Sequence, residues 1–345
     1  MNTSTTAPLG VLLVNLGTPD STSVGDVRRY LAQFLMDHRV IDMPWPLRAL
    51  LVHGIILRTR PRRSAEAYRK IWTQRGSPLL FHSEDLRNGL QDVLGPGVRT
   101  AFAMRYQNPS VEAGLTQLVA QGCVDVVVVP LFPQYSQAAW ASAFDEVSRV
   151  AAAMRNTPNL RFVPPFFDHP EFLDAQAAVA RPLLDGFRAD HVVMSFHGLP
   201  EKHIHKSDAS GAHCLRGNDC CAVMRQENRF CYRAQCFATA RGLAERLGLG
   251  PNDYEVTFQS RLTKAWIQPF TDQRLLALPG EGKKRVAVLC PAFVADCLET
   301  IEEIGMQARE SFVGAGGEDL LAVPCVNASP RWIEGLARIV REAPR

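Results

Sequence analysis

The sequence predicts an α/β protein of two lobes, each built on a parallel β-sheet with helices on both faces. Three observations carry that reading. Short apolar runs rich in β-branched residues alternate with longer amphipathic stretches along almost the whole chain. Nearly every apolar run ends on a polar or turn-forming tip. At 345 residues the chain exceeds what one ordinary core fills. Regular alternation of this kind implies parallel strands joined by right-handed helical crossovers.

The strand candidates of the first half are Gly10–Asn15, Arg99–Met104, Val124–Pro130 and Leu160–Pro164. Those of the second half are His191–Phe196, Tyr254–Phe258, Arg285–Leu289 and Leu320–Pro324. Between them lie helical patterns at Ser64–Trp72, Ser83–Val93, Val111–Gln121, Ala138–Met154, Arg229–Leu247 and Val294–Arg309. The tips include Asn15–Pro19, Arg105-Tyr106, Pro133–Ser136, Ser195–Gly198, Gln259-Ser260 and Cys290-Pro291. Open α/β sheets bind ligands at the carboxyl ends of their strands, so the chemistry belongs on these tips. The halves look architecturally alike, and no short-period repeat is present.

Two segments interrupt the alternation. Met43–Leu57 is an apolar helical stretch running directly into the basic cluster Arg58, Arg60, Arg62 and Arg63. It reads either as a buried helix with a solvated basic end or as an apolar lip lying on a membrane surface or a flat greasy ligand. The second, Glu201–Phe230, replaces periodic structure with His, Ser, Gly, Asn and Cys. Loops that long inside a compact domain are usually functional.

Composition excludes several classes. Hydrophobic residues at 46% and charged ones at 21% match an average globular enzyme. A net charge of +3, from 38 Lys and Arg against 35 Asp and Glu, argues for no nucleic-acid partner. The first strand runs into Asn15-Leu-Gly-Thr-Pro-Asp-Ser, which lacks the three-glycine fingerprint, and no Gly-Lys-Thr phosphate loop occurs, so no nucleotide cofactor is expected. No stretch reaches the ~20 apolar residues that cross a bilayer, and the N-terminus lacks a signal-peptide pattern. A cytoplasmic protein is therefore expected, with peripheral contact on the inner face of the membrane as the further option. Five of the nine cysteines fall between Cys214 and Cys236, which in a reducing compartment reads as metal ligation.

Two pieces carry catalytic chemistry. His197 follows the apolar run Val192–Phe196 and precedes a glycine, which suits a proton acceptor near neutral pH. Taken alone, a histidine satisfied by backbone partners is the more common situation. The second piece is Cys290–Gly305, where a helix from about Val294 would put Asp296, Glu299 and Glu303 on one face. Such a carboxylate row suits transient binding of a hard divalent cation and proton relay, or is simply a solvated helix face.

Together these pieces resemble a family. Ser195-Phe-His-Gly-Leu-Pro200 and Ala292-Phe-Val-Ala-Asp-Cys-Leu-Glu-Thr300 are similar to the two signature segments of ferrochelatases. Leu12–Pro19, Tyr68–Ile71 with Gly76–Pro78, Met104–Tyr106, Pro133–Ser136 and Phe258–Arg261 with Trp266 resemble further family segments, in the same order. The resemblance spans nearly the whole chain. It implies a class II chelatase-like fold of two similar Rossmann-like lobes, each with a four-stranded parallel sheet, and a porphyrin cleft. Residues 1–160 would form the N-terminal lobe, with a porphyrin-covering lip at about 43–78. Residues 161–325 would form the C-terminal lobe with the cysteine-rich insert at about 201–236, and residues 326–345 a C-terminal helix packing back on the lobes.

The activity implied is insertion of Fe2+ into protoporphyrin IX to form protohaem. His197 and Glu299 would be catalytic, and the Fe2+ substrate would meet His197, Glu299, Glu303 and Asp296. Flat contact with the macrocycle would come from Tyr106, Tyr135, Trp266 and Phe293. Propionate anchoring would come from Arg69, Lys70 or Ser77. One departure stands out: Cys297 occupies the place where many members carry a histidine, two residues before the glutamate, and a thiol is softer and less basic there.

The cysteines Cys214, Cys220, Cys221, Cys231 and Cys236 offer five thiols for four ligand positions. They suit a [2Fe–2S] cluster or Zn2+, and the Cys231-x4-Cys236 spacing, unlike paired Cys-x2-Cys knuckles, favours iron–sulfur. The resemblance points the same way, since some bacterial ferrochelatases carry a [2Fe–2S] cluster on an internal cysteine-rich segment. Adjacent Cys220 and Cys221 are not both expected to bind, and Cys236 is a candidate spare. Cys123, Cys290 and Cys325 read as core residues. Competing readings are a chelatase acting on coproporphyrin or sirohydrochlorin and a non-catalytic iron–sulfur or porphyrin-binding protein. Monomer and homodimer both remain open.

Overall fold

The structure, a computed structural model, describes residues 7–217 and 219–343. The chain divides into two compact units. One comprises residues 1–131, 137–165 and 333–345, and the other residues 132–136 and 166–332.

In the first unit, β1 (Leu9–Gly17) leads through α1 (Val24–Met36), α2 (Trp45–Leu51) and a π-helical turn, Val52–Ile56, to α3 (Leu57–Ile71) and α4 (Pro78–Leu94). There follow β2 (Val98–Tyr106), α5 (Val111–Ala120), β3 (Asp125–Pro130), α6 (Ser142–Ala153) and β4 (Asn159–Phe162). The sheet order is β2-β1-β3-β4, all parallel, with Leu12 opposite Ala101 and Val128. Val11–Val14 are fully enclosed, as a central strand covered on both faces requires. Ser23 and Ser110 start α1 and α5 by accepting from the backbone amides of Asp26 and Ala113. β1 ends at Gly17, whose φ of 122° and 2.1 Å approach of a would-be Cβ to the Tyr106 carbonyl oxygen admit only glycine.

The second unit repeats the plan. It runs α7 (Pro170–Phe187), β5 (His191–His197), α8 (Glu201–Ser207), α9 (Tyr232–Leu247), β6 (Tyr254–Gln259) and α10 (Thr271–Ala277). Then come β7 (Arg285–Leu289), a π-helical stretch Glu299–Ala308, α11 (Arg309–Gly314) and β8 (Asp319–Ala322). Its order is β6-β5-β7-β8, again parallel. Val193, Val286, Val288, Ile304, Phe312 and Leu320 close a core beneath that sheet. The last helix, α12 (Pro330–Glu342), begins among second-unit residues, where Arg331 pairs with Glu171 and Asp174 and Trp332 packs on Phe166 and Phe172. Further along, within the first unit, it meets α4 through Ile333 at Gly89 and Arg341 at the Val93 carbonyl.

All eight strands fall within two residues of their sequence-based bounds. Two helices differ. The insert opens with α8 instead of loop. The helix expected from Val294 begins only at Leu298, because the Asp296 backbone amide donates to the Asn327 side chain at 2.8 Å and holds the preceding residues in a loop. No helix among the described residues is long and apolar enough to cross a membrane.

Candidate active site

His197 ends the enclosed strand β5, opposite Gln259 in register. The next residue must be glycine: a Cβ on Gly198 would lie 2.8 Å from the Gln259 carbonyl oxygen and 3.1 Å from the Trp266 ring. The His197 Nδ1 lies 2.7 Å from the Gly198 carbonyl oxygen. A carbonyl only accepts, so in the neutral ring Nδ1 carries the hydrogen and Nε2 keeps its lone pair. The rings of Trp266 and Phe293 flank the imidazole, each with its centroid 6.4 Å away. The Trp266 loop is pinned beside it, the Ile267 amide donating to the Leu199 carbonyl at 3.0 Å and the Glu201 amide to that of Ala265 at 3.1 Å.

Glu303 faces this group from the π-helical stretch. Its carboxylate accepts from the Ser260 amide at 2.8 Å and the Ser260 hydroxyl at 2.6 Å. Burial pushes its carboxyl above the ordinary range; the neighbouring Glu299 charge adds to this, while the Ser260 hydroxyl and the charge of His197 work against it. Ser260 sits in the left-handed region at φ 62°, an uncommon conformation for a residue with a Cβ. Gln259 organises the floor. Its Nε2 donates to the Glu299 carbonyl oxygen at 3.0 Å, and its Oε1 accepts from Ser195 at 2.7 Å. Ser195 joins Thr271 at 2.8 Å, and Thr271 joins Thr257 at 2.8 Å, so a chain of buried polar side chains runs beneath the site.

The sequence-based site residues divide on this geometry. His197, Glu299, Glu303, Trp266 and Phe293 come together on the strand tips of the second unit. Asp296 does not join the carboxylate row. It precedes the helix, and its oxygens accept from Thr300 at 2.9 Å, Asn327 at 2.7 Å and the Cys325 amide at 3.3 Å, which makes it a structural knot. Cys297 is enclosed; burial pushes its thiol well up, and it stays protonated against the Glu299 carboxylate. Gln259 and Ser260 received no role from the sequence, although their place at the tip of β6 was the available signal.

In the first unit, Tyr106 and Ser77 depart from their expected roles. Tyr106 is only 1% exposed and shows no open face to a macrocycle. Its hydroxyl bonds Asp37 at 2.9 Å, its ring carries the Arg105 guanidinium at 4.5 Å, and Phe34 meets it edge-on. Ser77 is buried and accepts from Thr18 at 2.8 Å. Arg69 and Lys70 are exposed on the last turn of α3. Tyr135, in the second unit, is half-buried against Phe230, with its amide donating to Gln235 at 2.6 Å.

The insert collects its thiols beside α9. Cys214, Cys220, Cys221, Cys231 and Cys236 are all buried, and none is in a disulfide. The Cys220 and Cys221 sulfurs are 3.7 Å apart, and the Cys231 thiol bonds both Cys214 and Cys221. Cys236 stands apart, enclosed in α9, with its sulfur on the Tyr232 hydroxyl, which also bonds the His197 backbone. Burial pushes the Cys214 thiol up to about 11, so ligation there must displace a proton. Asp208 ties the loop: burial pushes its carboxyl up, but bonds from the Ser210 hydroxyl and the amides of Cys214, His213 and Ser210 outweigh this and hold it well below the usual range. Among the described residues no three His, Cys, Asp or Glu side chains close on a single ion. The donor chemistry, four gathered and buried soft sulfurs, nonetheless fits a thiolate-held cluster.

Fold and site together define a chelatase-type α/β protein. SirB from Bacillus subtilis, solved with Fe3+, is similar over 97% of this chain and 95% of its own, with a TM-score of 0.53 and 13% identity. The sirohydrochlorin chelatase SirB from Bacillus subtilis subspecies spizizenii, solved with cobalt, gives 0.54 at 12% identity over 97% and 94%. At those identities the likeness establishes the class II chelatase fold alone. The sequence decides the family: the ferrochelatase model matches residues 8–344, and the chain belongs to the ferrochelatase family. Ferrochelatases of Azotobacter vinelandii and Ectopseudomonas mendocina are 51% and 50% identical, covering 96% and 97% of this chain and 98% of their own. That of Stutzerimonas stutzeri is 48% identical over 97% and 98%.

Proposed function

We propose that this enzyme inserts Fe2+ into protoporphyrin IX, forming protohaem and releasing two protons. One observation carries the assignment of roles: an imidazole with an open Nε2, flanked by two aromatic rings, faces a half-buried carboxylate that desolvation makes a better proton acceptor. A free-base porphyrin holds two N–H protons and offers a plane too tight for a hydrated ion. His197 Nε2 accepts a pyrrole proton, and Glu303, held by Ser260, takes it onward together with Glu299. Trp266 and Phe293 support the macrocycle by flat contact and exclude water. Glu299 and Glu303 also give the hard Fe2+ substrate its oxygen ligands as it sheds water.

The test is an anaerobic assay of purified protein with Fe2+ and, in parallel, protoporphyrin, coproporphyrin and sirohydrochlorin. Protohaem formation at the highest kcat/KM is expected; preferred turnover of either other tetrapyrrole would overturn the substrate, and no turnover of any would overturn the activity.

Cys214, Cys220, Cys221 and Cys231 would hold a [2Fe–2S] cluster, the adjacent pair both included against the expectation from sequence because their sulfurs lie together, with Cys236 the spare. Such a cluster supplies four covalent cross-links and a one-electron couple. Zn2+ is the alternative occupant, and the visible absorption of the purified protein separates the two.

Peripheral membrane contact has its own support. Trp45, Leu47, Leu50 and Ile55 are 65%, 58%, 69% and 60% exposed, and Arg58, Arg60, Arg62 and Arg63 follow on exposed turns. An apolar face beside a basic cluster suits an anionic bilayer surface. Replacing the four apolar residues with Ser should abolish sedimentation with anionic vesicles; unchanged sedimentation would remove the idea.

A further inference from the structure

The first turn of α9 brings two parts of the second unit together through one side chain. Arg233 follows Cys231 by two residues and is partly buried. Its Nη1 donates to the Cys221 sulfur at 3.2 Å, and its Nη2 donates to the Gln268 carbonyl oxygen at 3.4 Å. The guanidinium stacks over Phe237 at 4.7 Å, which fixes its plane. Its Nε is buried without a partner. Gln268 belongs to the short loop that presses Trp266 against His197 and Gly198. The charge also reaches Cys220 and Cys236, where it favours the thiolate.

We infer that Arg233 is a positioning residue joining the cysteine site to the catalytic loop, one end of its guanidinium holding the Cys221 sulfur and the other the Gln268 carbonyl. The inference rests on the cluster reading above for its electronic half and on the loop geometry alone for its mechanical half. A cation that hydrogen-bonds a ligating sulfur withdraws charge from it and stabilises an added electron. Arg233 therefore raises the reduction potential of a cluster bound by these thiolates. The same fork keeps residues 265–268 docked on Leu199–Glu201. Lysine keeps the charge but reaches only one of the two acceptors.

The experiment uses the full-length protein, wild type, R233M and R233K, purified without oxygen. Iron and acid-labile sulfide are measured, the visible spectrum is titrated with dithionite against mediators, and amide exchange over residues 199–201 and 265–268 is followed by mass spectrometry. In R233M the one-electron equilibrium should shift about tenfold toward the oxidised form, ~59 mV. Exchange of the Glu201 and Ile267 amides should rise about tenfold. R233K should recover most of the potential but little of the protection. If R233M loses the cluster outright, R233K carries the potential measurement. A cluster-bearing R233M with unchanged potential, or unchanged exchange in both variants, overturns the inference. Wild-type protein without iron and sulfide sinks the cluster reading instead, and the exchange result then decides the mechanical half alone.

Discussion

The two sheets share strand number, direction and order, yet their carboxyl ends do opposite things. In the first unit the tips are closed. Asn15 donates to Ser83 at 3.2 Å, Thr18 to Ser77 at 2.8 Å, and Arg105 to Asp37 at 2.7 Å, while Tyr106 and Ser142 bond the same Asp37 carboxylate. In the second unit the tips leave His197 Nε2 open and hold Glu303 half-buried with its carboxyl raised. Polar tips of the same apparent kind thus serve cohesion in one sheet and stay available for chemistry in the other. What separates them is whether each donor and acceptor finds a partner inside the unit.

That contrast can be broken by experiment. His197→Ala should lower metal insertion about 10³-fold, the loss of a positioned general base, with its denaturant midpoint unchanged. Its counterpart, Asp37→Ala, should leave turnover per folded molecule within about twofold while lowering stability by ~1–3 kcal/mol, since the buried Tyr106 and Ser142 hydroxyls and the partly buried Arg105 guanidinium all lose an acceptor. Urea titration and initial rates on both variants decide this, and a swap of the two effects would dissolve the distinction.

Glu303→Gln, nearly isosteric, should cost about 10²-fold in kcat with little change in porphyrin KM. An equal loss in KM would mean the carboxylate binds substrate instead of moving protons.

Acid should act on the first unit through Asp37. Burial pushes its carboxyl up, but the bonds from Ser142, the Arg39 amide and Tyr106, with the Arg105 charge, leave it below its ordinary value of 3.8. A carboxyl depressed in the folded state contributes stability that is complete above the unfolded value and fades as pH falls through the folded one. The unfolding midpoint of wild type should therefore fall more steeply below pH ~4 than that of Asp37→Asn. Parallel curves would deny Asp37 the role.

The smallest effect should come from Ser260. Ser260→Gly suits the left-handed backbone but removes the hydroxyl donor, and Ser260→Ala removes the donor while keeping the strain. Both should lower kcat severalfold, with alanine also about 1 kcal/mol less stable than glycine.

Much of this was legible along the chain. The eight strands announced themselves as β-branched apolar runs, because burial on both faces of a parallel sheet leaves little freedom of composition. His197 and Glu299 were legible as motifs, and the clustering of five cysteines pointed to a gathered group of thiols before any geometry. Asp296 and Tyr106 were misplaced for a common reason: periodicity and residue type register that a group is polar or flat, not which neighbour uses it. Asp296 is taken by Asn327 and Thr300, and Tyr106 by Asp37, partners distant in sequence.

The sequence by itself determined the α/β plan and the family, since these follow from local pattern and chemical type. Only the tertiary structure decided that Glu303 faces His197 while Asp296 does not, that Ser260 is strained to hold it, and that Arg233 reaches from a cysteine to the catalytic loop. Those outcomes depend on long-range hydrogen-bond partners and on burial, which set a group's protonation and openness and are properties of the packed chain.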